Sequence, residues 1–228
     1  MAREMPHDLY QNYYQALMAL DKPACVHLAL GALEQGDIDL EDLYREILAT
    51  ALVSMVEAEI GTDHGIWKEH ARSEITRTVI ECCYPTVERL AAEARASRAA
   101  AGAAASTGKV MIVLPAEEYH ELGARMGADF FQVEGYETLF LGSNTPRESI
   151  FSCIRAFQPD YVVIHVVNYY NLFRAKALVQ QLQQQAPQVQ LLVSGYAFVT
   201  DPAQVARIGP VRLLKCFEDI TALREGLL

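Results

Sequence analysis

The chain has 228 residues, enough for one large domain or two modest ones that each bury a core without crosslinks. Lysine and arginine number 19 against 29 aspartates and glutamates, a net charge of -10, which excludes a broad nucleic-acid surface built from clustered cations. Five cysteines with no Cys-x-x-Cys spacing suit neither a disulfide framework nor a zinc site, and no apolar run has signal-peptide or membrane-spanning length, so a soluble cytoplasmic protein is expected.

From Leu9 to about Arg98 the apolar residues recur at helical spacing and predict four helices. The first covers roughly Leu9 to Leu20. The second opens on Lys22-Pro23, with proline in its first turn, and closes at Gly36. Asp37 or Asp39 caps the third, whose Leu43, Ile47, Leu52, Met55 and Val56 form one apolar face before Gly61-Thr62-Asp63. Asp63 caps the fourth, from about His64 to Ala96, with Trp67, Glu69 and His70 near its start, Cys82 and Cys83 in its interior, and Pro85 expected to kink or break it. Residues 1–98 are thus read as a helical bundle. The small-residue stretch 99–107 reads as a linker.

After Gly108 short apolar runs alternate with amphipathic stretches. Strands are expected at Val110 to Leu114, Glu137 to Leu141, Tyr161 to Val166, Gln190 to Val193 and Arg212 to Lys215, with helices between them. The fold class is therefore α/β: a four-helix bundle followed by a flavodoxin-like, Rossmann-like parallel sheet over residues 108–228. In such sheets ligands bind beyond the carboxyl ends of the strands. His120 follows the first strand; Glu118 is placed to orient its imidazole, and Gly123 lets backbone or ligand approach closely. That pattern is what a metal-ligating histidine requires.

Glu118-Tyr119-His120-Glu121-Leu122-Gly123 resembles the cobalamin-binding loop, acidic-x-His-x-x-Gly, in which histidine replaces the cofactor's benzimidazole as lower cobalt ligand. Leu141-Gly142-Ser143-Asn144-Thr145-Pro146 resembles the family's Leu-Gly-x-x-Thr-Pro turn, which places Asn144 and Thr145 at the corrin-facing rim. Val193-Ser194-Gly195-Tyr196-Ala197-Phe198 resembles Gly-Gly-x-Ala-Phe, with Ser194 in place of the first glycine. The third strand departs: His165-Val166-Val167 stands where the family has Ser-x-Leu or Ser-x-Thr lining the pocket for the cofactor's nucleotide tail. His165 is the substitution that most threatens that pocket.

A helical bundle ahead of such a module resembles methionine-synthase-like corrinoid proteins and CarH-type light sensors, in which the bundle caps the cofactor's upper face. Glu69-His70 looks like the Glu-His pair of that cap, but Glu59 and Ile60 replace the sensors' tryptophan and a following histidine. The resemblance implies adenosylcobalamin or methylcobalamin as cofactor and His120 as its metal ligand. Glutamate at 118, common in the light-sensing branch where carriers have aspartate, tilts the expectation toward a non-enzymatic light sensor with light-dependent homo-oligomerisation. A corrinoid carrier for a methyltransferase system and a storage module are the alternatives. No DNA-binding helix-turn-helix is expected ahead of the bundle, and the altered cap resembles the photocobilins, which implies biliverdin as a second chromophore near Trp67, His64 and Tyr169. Tyr169, Tyr170 and Phe173 suit either packing or a flat-ligand platform. No Gly-x-Gly-x-x-Gly follows the first strand, and no nucleophile-base pair is evident.

Overall fold

The structure, a computed structural model, describes residues 7–59, 65–102, 104 and 106–228. Ile60, Asp63 and His64, and the side chains of Val56 and Glu59, on which readings above depend, lie outside the described residues. The chain divides into two units, Met1–Val87 and Glu88–Leu228.

The first unit is helical. Helix α1 spans His7–Met18, and α2 spans Lys22–Gln35. The Asp21 carboxylate accepts from the Ala24 N–H at 3.0 Å, Pro23 occupies the first turn, and Gly36 ends α2 at φ 72°. Of the two candidate caps for the next helix, Asp39 does the work, accepting from the Asp42 N–H at 2.8 Å. That helix starts as α3 (Leu40–Asp42), widens to π-helical geometry over Leu43–Ala49 and continues as α4 (Thr50–Glu59). The widened turn had no sequence signal. Leu43, Ile47 and Met55 are buried as the apolar face requires, and Leu52 is half-buried.

Helix α5 runs from Gly65 to Ala100 and passes through Pro85 without a break, the stronger of the two expected effects. Proline removes one backbone donor and crowds the preceding turn. Cys83 and Val87 on either side are fully buried, and that packing holds the helix together across the lost bond. Cys82 is half-buried. The expected linker opens as the last turn of this helix, Ala99 and Ala100 being helical.

The second unit alternates strand and helix: β1 (Lys109–Val113), α6 (Leu122–Val133), β2 (Glu137–Phe140), α7 (Arg147–Phe157), β3 (Tyr161–His165), α8 (Leu172–Gln185), β4 (Gln190–Ser194), the short α9 (Tyr196–Val199) and α10 (Ala203–Ile208), β5 (Arg212–Leu213) and α11 (Phe217–Arg224). The sheet has five strands in the order β2-β1-β3-β4-β5, and every pair is parallel. Both faces are covered, as a parallel sheet requires. Along β1, Met111 and Val113 pack with Ile150, Ile154, Leu178 and Leu182 of α7 and α8, while Val110 and Ile112 pack with Ala128, Phe131, Ile220 and Leu223 of α6 and α11. Strand β5 is two residues long, shorter than expected, because Leu214 leaves the ladder after one further bond to Val193. Chain order reverses between β1 and β3, so the loops after those strands flank the switch point where ligands bind in open α/β sheets.

Candidate functional site: a histidine held by a buried carboxylate

Residues 114–121 connect β1 to α6 and bring Glu118 and His120 to the switch point. Glu118 is completely buried, yet its carboxylate is saturated with donors. One oxygen, Oε1, lies 2.6 Å from His120 Nδ1 and 3.2 Å from the His120 N–H. The other, Oε2, accepts from the backbone N–H groups of Val167 and Asn168 at 3.1 and 3.0 Å and from Asn171 Nδ2 at 3.1 Å. Burial pushes this carboxyl's pKa up, but the bonds from His120, Asn168 and Asn171 together outweigh it and hold the group at about 2. It therefore stays an anion, which fixes the proton of a neutral imidazole on Nδ1. The His120 side chain is 55 % exposed, with Nε2 as its remaining electron-pair donor.

The loop is stitched to its neighbours. Glu117 sits at φ 65° and Asn144 at φ 51°. Asn144 Oδ1 accepts from the Glu117 N–H at 2.9 Å, and the Asn144 N–H donates to the Glu118 carbonyl at 3.0 Å. Thr145 turns inward, donating from Oγ1 to the Gly142 carbonyl at 3.1 Å. Arg174 pairs with Glu117 at 2.5 Å. Glu121, also buried, accepts from the Ser143 N–H at 2.8 Å and from Arg125 Nε at 2.9 Å.

Gly123, His165, Ser194 and Gly195 meet at the carboxyl ends of β3 and β4. His165 Nδ1 lies 2.9 Å from Ser194 Oγ, and burial pushes the imidazole down to about 4 while the Glu118 charge acts in the opposite sense. Its Nε2 is buried with no hydrogen-bond partner among the described residues. Gly195, at φ 101°, is a position only glycine fills: an added Cβ would run into the Val166 carbonyl, 2.8 Å from its carbon.

The aromatic run is solvent-facing rather than packed. Tyr170 is 83 % and Phe173 64 % exposed. Tyr169 shares a short hydrogen bond with Thr200 Oγ1 and stands edge-on to Tyr196. Trp67 is 55 % exposed and so is not bundle core, because its side chain projects from the first turn of α5. Glu69 accepts from Ser73 Oγ at 3.0 Å, and His70 is exposed; all three belong to the helical unit.

The loop pattern pointed to Glu118, His120 and Gly123, but not to Asn171 or to the structural burial of Glu121. Asn171 lies beyond β3, and only folding carries its amide to Glu118. Val167, expected at the pocket for the nucleotide tail, contributes its backbone N–H to Glu118, a role that no side-chain pattern could reveal.

A lone imidazole with an anionic orienting partner suits a metal whose other positions are already filled. Among the described residues no three histidine, cysteine or acidic side chains are placed to cage a bare ion. Residues 108–214, a little under half of the chain, match the family model of the B12 binding domain. Over 97 % of its length the chain also superposes on 99 % of a monomethylamine corrinoid protein from Methanosarcina barkeri, with a TM-score of 0.75 at 14 % identity. Weaker likenesses, each with a TM-score of 0.49, are the methanol:cobalamin methyltransferase complex MtaBC of Methanosarcina barkeri, at 14 % identity covering 97 % of this chain and 80 % of that one, and a novel cobalamin-binding protein from Desulfitobacterium hafniense DCB-2, at 16 % identity covering 97 % and 98 %. No curated protein matches the chain by sequence. Among the described residues no helix is long and apolar enough to cross a membrane.

Proposed function

We propose that the chain binds a corrinoid with His120 as the lower axial cobalt ligand and works as a corrinoid carrier for a partner methyltransferase, rather than as a catalyst itself. The observation that carries the binding reading is the Glu118–His120 contact of 2.6 Å, with the carboxylate buried and the imidazole exposed. The donor set fits the group. Glu118 holds His120 in one tautomer and makes its Nε2 more basic, as outer partners of metal-bound histidines do. The bound corrinoid would supply the cobalt that exchanges a methyl group. Gly123, Asn144, Thr145, Val167, Ser194 and Gly195 would shape the rim; a ligand role for Glu69, His70 and Trp67 of the helical unit is supported by the likeness of Glu69-His70 to the family's cap pair alone.

The carrier reading is supported by the shared fold with a corrinoid protein along nearly the whole chain, helical unit included. The light-sensor reading keeps one specific observation: position 118 is glutamate, and its longer side chain lets one carboxylate serve His120 and the 167–171 loop together. In that reading the site would hold adenosylcobalamin, which would supply a light-sensitive cobalt–carbon bond, the oligomeric state would change with light, and Tyr169 would be a candidate neighbour of biliverdin.

Titration of the purified chain with aquacobalamin, methylcobalamin and adenosylcobalamin tests the binding. Paramagnetic resonance of the cobalt(II) form of bound cobinamide, which carries no base of its own, should show coupling to one protein nitrogen, lost in His120→Ala. Unchanged coupling in that variant would refute the assignment. Green illumination of the methylated and adenosylated forms, followed by size-exclusion chromatography, separates the two roles: a carrier elutes unchanged and passes its methyl group on, whereas a sensor shifts. A saturable red-shifted band on adding biliverdin would add the second chromophore.

A further inference from the structure

His165 does not serve the axial-ligand arrangement, yet it occupies the mouth of the sheet beside it. Its side chain is 7 % exposed and tied to Ser194, and a Cβ placed on Gly123 would lie 3.3 Å from His165 Cε1 and 3.4 Å from Nε2. With a carbon–carbon bond of about 1.5 Å, the Gly123 backbone is then within about 5 Å of the imidazole. A flat heteroaromatic base needs about 7 Å between two walls, twice an ordinary contact distance. The neighbouring wall is closed as well, because Gly195 already presses on the Val166 carbonyl. Gly123 itself is exposed to solvent.

We propose that His165 sets the corrinoid specificity of this site: it closes the space between Gly123 and Ser194, so a corrinoid is held by its cobalt and macrocycle while any nucleotide base stays outside the sheet. This rests on the corrinoid-binding reading. The ring does not swing aside without cost, since doing so breaks the bond to Ser194. A corrinoid with no nucleotide has an additional advantage, because His120 need not displace an internal base from cobalt.

The test compares aquacobalamin with diaquacobinamide, which lacks the nucleotide, on the full chain by absorbance titration. The unaltered chain should bind cobinamide at least as tightly as cobalamin. His165→Phe, which fills the same space without nitrogen, should keep that order. His165→Ser opens the space and should move the affinity ratio toward cobalamin by about tenfold. Cobalamin binding more tightly than cobinamide to the unaltered chain, or an unchanged ratio in His165→Ser, would overturn the proposal. The cobalt(II) resonance signal from His120, recorded with both corrinoids, reports the axial ligand separately, so specificity can fail while ligation stands. If neither corrinoid binds, both fall together.

Discussion

Glu118 is a buried anion whose stability comes from donors that converge on it from two segments of chain, its own loop and residues 167–171. Glu118→Gln keeps the shape but sets an amide N–H against some of those donors. Corrinoid affinity should fall about 10 to 100-fold, the usual loss when a ligand's outer partner is removed, while circular dichroism confirms that the fold survives. A second residue, Cys25, reports on the core of the helical unit. It is fully buried, and burial, with a smaller contribution from Asp21, pushes its thiol up to about 11. Below the ordinary thiol range near 9 the group is neutral folded and unfolded, so its contribution to stability is fully present there. Between about 9 and 11 the unfolded chain ionises and the folded one does not, so stability should fall by roughly 2 kcal/mol across that window. Urea titrations at pH 8 and pH 10.5 should show the loss, and Cys25→Ala should reduce it. Tyr13, whose hydroxyl is also raised by burial, leaves a remainder.

At the scale of elements, α5 carries an avoidable penalty. Pro85 is exposed and helical, so its replacement removes no packing while restoring one backbone donor. Pro85→Ala should raise the stability of the helical unit by roughly 1 to 3 kcal/mol, measured by thermal or urea unfolding. A lower stability would mean that the missing donor is matched to a bend the unit requires. The helix caps behaved as their side chains dictate: Asp21 with Pro23, and Asp39 with the Asp42 N–H, are local chemistry that a sequence displays openly. The π-helical stretch Leu43–Ala49 is different, since its buried Leu43, Tyr44, Ile47 and Leu48 read as an ordinary amphipathic helix. Which hydrogen-bond register they take depends on what they pack against.

For the whole molecule, the two faces of the sheet are covered by helices of the same unit, so the sheet's core is self-contained. A fragment of residues 106–228 should therefore fold alone, with a cooperative urea transition and the His120-dependent cobalt spectrum retained. An aggregating fragment, or one lacking near-ultraviolet dichroism, would show that the helical unit is needed to complete the core.

The sequence by itself determined the order of elements, the parallel sheet and the Glu118–His120 pair, because hydrophobic period, caps and a contiguous loop motif are local properties of the chain. The aromatic run at Tyr169–Tyr170 was ambiguous in it, since an exposed rim and a packed face use the same residues. Only the tertiary structure decided that Asn171 and the backbone of Val167 and Asn168 would complete the carboxylate's shell, some fifty residues away along the chain. It also decided that His165 would fill the space beside Gly123. Both depend on how close the ends of β1, β3 and β4 come once the strands are in register, a distance set by backbone pairing and core packing rather than by any one residue.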